Sequence, residues 1–245
     1  MKAPPEMQAR LLELVDLDTR LTQLAHQLRS LPELTDIARL EEAEAALEED
    51  VVRAQTELSD VRREVTRAEE AVQLVRDRTA RNQQRLDAGT GSPKDLQGMQ
   101  HELESLARRQ GVLEDEELEA MERAEQAEAA AEKALAAREA HREQLATLHA
   151  DRDRKAGVIA VEHEQVAGGR EAITADLSEE LLALYERLRA RSGTGAAPLL
   201  QRRCDGCRLE LNAVDLGRIK AAPEDEVLRC EECGRILVRT AESGL

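Results

Sequence analysis

Residues 86–96, Leu86-Asp87-Ala88-Gly89-Thr90-Gly91-Ser92-Pro93-Lys94-Asp95-Leu96, decide how the chain folds. Gly89 and Gly91 can take positive φ and end a helix. Ser92 then reads as a cap, Pro93 suits the first helical position, and Asp95 completes a pairing of the capping-box type. A turn this short makes the helices on either side antiparallel neighbours.

Both flanking segments carry apolar stripes. Upstream, Leu34, Ile37, Leu40 and Leu47 lead into Val51, Ala54, Leu58, Val61, Val65, Ala68, Val72, Val75, Thr79, Asn82 and Leu86, which step by three and four without a break. Downstream, Met99, Leu103, Leu106, Leu113, Ala120, Ala124, Ala127, Ala131, Ala134, Leu145 and Leu148 do the same, with Gln110, Glu117, Arg138 and His141 as polar members. This is the seam of a coiled coil. Folding the chain about residue 91 sets Leu58 opposite Ala124, Val51 opposite Ala131 and Leu47 opposite Ala134. Large residues on one helix then meet small ones on the other. The same register sets Leu40 opposite His141 and predicts an ion pair between Glu44 and Arg138. An arm of about 50 residues would be roughly 75 Å long at 1.5 Å per residue.

Outward from the arm, Leu14, Leu17, Leu21, Leu24, Leu28 and Leu31 form a first helix that Pro32 interrupts. Past residue 150 the pattern weakens around Gly157, Gly168 and Gly169, which are poor helix formers. The register puts Val158 near Leu24 and Val161 near Leu21, packing the first helix on this return segment. A further helix starts with Ser178 as cap, Leu177 stapled onto Leu182, and Leu181, Leu184 and Leu188 as its stripe. It stops before Ser192-Gly193-Thr194-Gly195, which reads as a flexible linker. The chain therefore divides into a helical hairpin over 1–192, with its tip near 87–95, and a second domain over 193–245.

Composition agrees with long helices. The 245 residues include one Tyr and no Phe or Trp, and 35% are charged. A single globular core of this size normally uses aromatics, so such a core is disfavoured. The net charge of -16 rules out a generally basic nucleic-acid binder, though not a local basic patch. No run of about 18 apolar residues spans a membrane, and the first residues lack a signal core. These features predict a soluble cytoplasmic protein with reduced thiols.

All four cysteines lie in the second domain, as Cys204-Asp205-Gly206-Cys207 and Cys230-Glu231-Glu232-Cys233. Two C-x-x-C pairs at this separation match a zinc ribbon. Each pair turns two thiolates onto one ion, with Gly206 and Gly234 allowing the backbone to bend. Four sulfurs suit tetrahedral Zn²⁺ and leave no open position. The alternatives are four unligated thiols or two disulfides. A thioredoxin-like redox motif is disfavoured, since no βαβ pattern surrounds either pair. The strand-like pieces Leu199-Leu200, Val227-Leu228 and Ile236-Leu237-Val238 are too small for a hydrophobic core, so the fold class is mainly α with a small C-terminal β zinc ribbon stapled by one structural Zn²⁺.

No catalytic residues emerge. His26, His101, His141, His149 and His163 are scattered over helices without a nucleophile beside them, and no Walker A motif, dinucleotide fingerprint or nucleophile elbow occurs. Charge distribution is more informative. Residues 113–132 hold nine acids and one Arg, whereas residues 76–110 hold seven bases and five acids. The candidate contact residues are Arg78, Arg81, Arg85, Lys94, Arg108 and Arg109 at the tip, with Arg76 beside them, and Arg202, Arg203, Arg208 and Arg235 on the ribbon. Without aromatics a single-strand reader is disfavoured.

The tip Gly91-Ser92-Pro93-Lys94-Asp95-Leu96 followed by Gln100-His101-Glu102-Leu103, the segment Leu184-Tyr185-Glu186-Arg187-Leu188-Arg189, and the ending Cys230-Glu231-Glu232-Cys233-Gly234-Arg235-Ile236-Leu237 carry a resemblance over nearly the whole chain. The chain resembles a bacterial family of coiled-coil hairpins with a C-terminal C4-type zinc ribbon, long catalogued as a domain of unknown function. That family often has Pro before the last Cys, where this chain has Glu232. Its members are described as nucleic-acid-binding or scaffold proteins, some linked to RNA and to flagellar or secretion machinery. The resemblance implies binding rather than catalysis. The function expected is a non-enzymatic adaptor or scaffold with protein partners. Its alternative is RNA or DNA binding through the ribbon. No membrane and no small-molecule substrate is expected.

Overall fold

The structure, a computed structural model, describes residues 1–245. Its elements are α1 (Pro5–Arg29), α2 (Pro32–Asp87), α3 (Pro93–Asp176), α4 (Glu179–Ser192), β1 (Ala196–Leu200), β2 (Arg203–Cys204), α5 (Ala213–Ala221), β3 (Leu228–Arg229) and β4 (Ile236–Val238). Packing groups them into two compact units, Thr35–His149 and Met1–Leu34 with Ala150–Leu245. That division falls elsewhere than the change of composition at residue 192.

The unit Thr35–His149 is the arm. Ile37, Val51, Val72, Asn82, Leu113, Ala120, Ala127, Ala131 and His141 are its buried residues, all on the expected stripes. The tip closes as the residue types require. Gly89 and Gly91 have φ of 60° and 141°. The Ser92 amide donates to Asp95 Oδ2 at 3.0 Å, and the Asp95 amide donates to Ser92 Oγ at 3.3 Å. Hydrogen bonds from the Ser92 hydroxyl and then its amide hold the Asp95 carboxyl below its ordinary value, against a lesser opposing effect of desolvation.

The predicted Glu44–Arg138 pair is not formed. Both residues are on the seam face, with Ala43 and Ala137 exposed, but each meets a residue one turn away. Arg138 Nη1 lies 3.3 Å from Glu48, and Glu44 lies 3.7 Å from Arg142 Nε. The Cα–Cβ bond leans toward the N-terminus of its own helix. Across an antiparallel seam, that lean carries Arg138 toward higher α2 numbers and Glu44 toward higher α3 numbers.

The unit Met1–Leu34 with Ala150–Leu245 is assembled differently. α3 runs through Gly157, Gly168 and Gly169 without a break. α1 packs on it: Leu17 Cδ1 lies 3.7 Å from where a Gly169 Cβ would be, and Arg10 pairs with Asp176 at 2.7 Å. The face differs from expectation. Val158 and Val161 are 67% and 58% exposed, and Ala156, Ile159, Val166 and Ile173 are among the covered residues. The arm's register does not extend to α1, because α1 is cut from α2 at Ser30–Leu31. Ser178 is the residue before α4 but makes no side-chain cap bond.

The C-terminal sheet has the order β2-β1-β4-β3, with β1 and β4 parallel and the other pairs antiparallel. Its side chains alternate between two cores. Ala196, Ile236 and Val238 join Ala3, Leu11, Leu14, Ile173, Leu181, Tyr185 and Leu188. Ala197, Leu199 and Leu237 join Leu211, Ile219, Leu228, Cys204 and Cys230. The expectation that this segment lacks a hydrophobic core therefore fails, because α1 and α4 supply one side of it and α5 the other. The 192–195 stretch is not a flexible linker either. Gly193 takes φ 82° as the cap of α4, and a Cβ on Gly195 would lie 2.5 Å from Tyr185. The chain start is also fixed here: the Ala3 amide donates to the Asp225 carbonyl at 2.7 Å and the Val227 amide to the Met1 carbonyl at 3.1 Å.

Candidate metal centre

The two cysteine turns have the same backbone wiring. The Arg208 amide donates to the Cys204 carbonyl at 2.7 Å, and the Cys204 amide to the Leu209 carbonyl at 3.0 Å. In the second turn the Gly234 amide donates to the Cys230 carbonyl at 2.8 Å, and the Cys230 amide to the Arg235 carbonyl at 3.0 Å. The residue after each second cysteine is left-handed, Arg208 at φ 62° and Gly234 at φ 75°. Gly206, expected to supply the bend, has another role. A Cβ there would lie 2.9 Å from Ala197 and from the Arg235 side chain.

These turns bring the sulfurs together. Cys204 and Cys233 Sγ are 3.8 Å apart, Cys207 and Cys230 Sγ are 3.9 Å apart, and all four lie within 4.8 Å of one another. A disulfide needs a separation of about 2.05 Å, which these pairs do not approach. A tetrahedral ion with Zn–S bonds of about 2.3 Å spaces its sulfurs about 3.8 Å apart. The four thiols, all unbridged, fit one structural Zn²⁺.

Protonation shows what the cation must overcome. Burial pushes the Cys204 thiol well above its ordinary value, and amides of Cys207 and Gly206 only partly oppose it. Burial also raises Cys230. At Cys233 burial acts in the same direction, but hydrogen bonds from the Arg235 amide and guanidinium, and from Cys230 and Cys204, bring the thiol to about 7. A bound dication holds all four as thiolates. With four protein ligands there is no position for water, and its chemistry is structural.

The CT398-like coiled coil hairpin domain matches residues 14–193, and the C4-type zinc ribbon domain matches residues 203–237. The chain belongs to the CT398-like coiled-coil hairpin family. An uncharacterized protein of Mycobacterium tuberculosis is 38% identical over 239 residues, covering 98% of each chain. A solved Mycobacterium smegmatis structure is 34% identical with a TM-score of 0.79, covering 98% of this chain and all of that one. CT398 of Chlamydia trachomatis, at 16% identity and a TM-score of 0.59 over 96% of this chain and 98% of its own, shares the fold.

In this CT398-like protein the candidate contact residues separate into two groups. On the ribbon, Arg202 Nε donates to the Gly244 carbonyl at 2.9 Å and Arg203 Nη2 to the Arg208 carbonyl at 3.2 Å. Arg235 donates to Thr194 Oγ1 and to the Ser192 carbonyl, both at 2.7 Å, and so ties the second cysteine turn to the end of α4. Arg208 forms the first turn, with its side chain exposed. At the tip, Arg78 pairs with Glu102. Arg81, Arg85, Lys94, Arg108 and Arg109 are exposed and have no acidic partner.

The structure also holds a buried cluster that no sequence motif marks. Asp18 is 2% exposed; its Oδ1 accepts from Arg170 Nε at 2.7 Å. Its Oδ2 accepts from the Tyr185 hydroxyl at 2.7 Å and lies 3.0 Å from Arg189 Nε. Glu186 pairs with Arg170 and Arg189. Burial, with Asp18 beside it, pushes the Tyr185 hydroxyl far above its ordinary value. The segment Leu184–Arg189 thus locks α4 to α1 and α3. The available signal is the acid Asp18, four residues after Leu14, on the helix face that also buries Gln8, Leu11 and Leu14.

Proposed function

We propose that the protein is a non-enzymatic adaptor joining macromolecular partners, with a protein bound at the hairpin tip. The supporting observation is the contrast between its two sets of cations. Arg202, Arg203 and Arg235 of the ribbon are engaged with the chain's own polar groups, as are Arg229 and Arg239. Cations bound in this way have fewer donors left for phosphates. Five tip cations have no such engagement. The four-thiolate metal site adds structure and no reactive position.

Photo-crosslinking in the native cell tests this reading. A photoreactive residue is placed at Gln84 or Gln97 by the tip, at Arg208 on the ribbon and at Glu57 as a control, all exposed positions. Nuclease-resistant protein adducts are expected at the tip and, with a different protein, at Arg208. Adducts that vanish on nuclease treatment would replace the adaptor with a nucleic-acid binder. Tip labelling no stronger than at Glu57 would remove the reading altogether.

A further inference from the structure

Three of the five unpaired tip cations occupy a definite flank. Arg78, Arg81 and Arg85 follow one another by three and four residues along α2 and so share a face. Leu74, four residues before Arg78, lies on the same face and is 66% exposed. The Arg78–Glu102 ion pair sets this face beside Glu102 of α3. Two turns along α3 from Glu102 comes Arg109, and one turn further Val112, which is 49% exposed. Helical spacing puts all three on one side. The flank therefore combines three cations without counter-ions with two exposed apolar side chains.

Nearby acids do not serve these cations. Asp77 accepts from Gln73 and Asp87 from Gln83, each at 2.8 Å. Asp95 is occupied by Ser92. The exposed arginines are solvated but free to meet a carboxylate, and Leu74 and Val112 would gain by being covered; one kind of occupant uses both. Phosphates would satisfy the arginines but leave Leu74 and Val112 wet. A helix with apolar residues at three- and four-residue spacing and carboxylates beside them would cover the apolar pair and neutralise the arginines together.

From this geometry we infer that the flank carrying Leu74, Arg81, Arg85, Arg109 and Val112 docks an acidic amphipathic helix of a partner protein, lying along the hairpin as a third strand. The inference rests on the tip being a protein-binding end, and it adds the face and the chemistry of the partner.

The test uses the full chain and a fluorescein-labelled peptide of about five turns, roughly 18 residues, with leucines on one face and glutamates beside them. A scramble of the same composition and an RNA duplex of similar length are compared at physiological ionic strength. Anisotropy should show the amphipathic peptide binding in the range of about 1–100 µM, with the scramble at least about tenfold weaker. Arg81→Glu/Arg85→Glu and Leu74→Asp/Val112→Asp should each weaken binding about tenfold or more, with helix content unchanged by circular dichroism. Lys133→Glu, an exposed cation elsewhere on the arm, should leave binding unchanged. Equal binding of the scramble, tighter binding of the RNA duplex, insensitivity to the flank variants, or no peptide binding below about 1 mM would each overturn the inference. Were the tip to crosslink a protein in cells while the peptide failed, this inference would fall and the adaptor would stand. Were the tip to crosslink nothing, both would fall.

Discussion

The arm, Thr35–His149, and the unit of Met1–Leu34 with Ala150–Leu245 both bury leucine, valine and alanine, but they choose those residues differently. In the arm, every stripe residue from Ile37 to Leu86 and from Met99 to Leu148 is on the covered side. Contacts there are between two continuous helices, so a period read from one helix describes its partner as well. In the other unit, Ala3, Leu11, Tyr185, Ala196 and Ile236 share one core although long stretches of chain separate them. Local periodicity carries no information about such meetings.

If the two units differ in this way, damage to one should leave the other standing. The largest effect should come from the metal. Chelation, or Cys204→Ser, should unfold the ribbon, because four buried or half-buried thiols would lose the ion that keeps them together. Metal analysis should find one Zn²⁺ per chain before treatment, and circular dichroism should retain most helix after it. Loss of the arm's helix in parallel would show that the units are not separable. Next is Asp18→Ala. It leaves Arg170 and Arg189, with side chains only 22% and 32% exposed, without their shared carboxylate. Breaking a buried pair costs about 3–5 kcal/mol, and the arginines' residual access to water suggests the lower end. Urea unfolding should show this loss in the ribbon-bearing unit.

Within the arm, effects should be smaller. A double-mutant cycle on Glu48 and Arg138 should give a coupling of about 0.5 kcal/mol, as for partly exposed pairs. The cycle on Glu44 and Arg138 should give a coupling near zero. The reverse ranking would restore the register read from the sequence. The smallest effect concerns the tip. Asp95 titrates below its ordinary value in the folded chain because Ser92 donates to it. Its contribution is present above the ordinary carboxylate pKa and is lost as pH falls through the lowered value. Hydrogen exchange at the Ser92 and Asp95 amides should therefore show increased fraying in acid, confined to the tip. Uniform loosening of the arm would point to another group.

The candidate site divides along the same line. The four ligands were legible because C-x-x-C fixes two sulfurs per turn, and the chemistry of zinc makes the two turns converge. The sequence offers Gly206 and Gly234 for the two bends; Gly234 takes one, but in the first turn Arg208 takes the left-handed conformation and Gly206 supplies room for Ala197 and Arg235. Residue type identifies which positions can adopt positive φ, while the wiring of the turn decides which one does. Charge alone groups Arg235 with candidate contact residues; in the fold it donates to Thr194 and Ser192 and is a tie within the chain.

Sequence alone determined the helical arm, its tip, its stripes and the ligand set, because each depends on spacing within a few residues and on the fixed geometry of a helix or a metal ion. Tertiary structure decided which turn of the partner Arg138 reaches, which face of the return helix α1 covers, why Asp18 is buried, and that the ribbon takes its second core from α1 and α4. Each of those depends on side chains from distant segments meeting in three dimensions, where the direction of a Cβ or the volume of one tyrosine outweighs local periodicity.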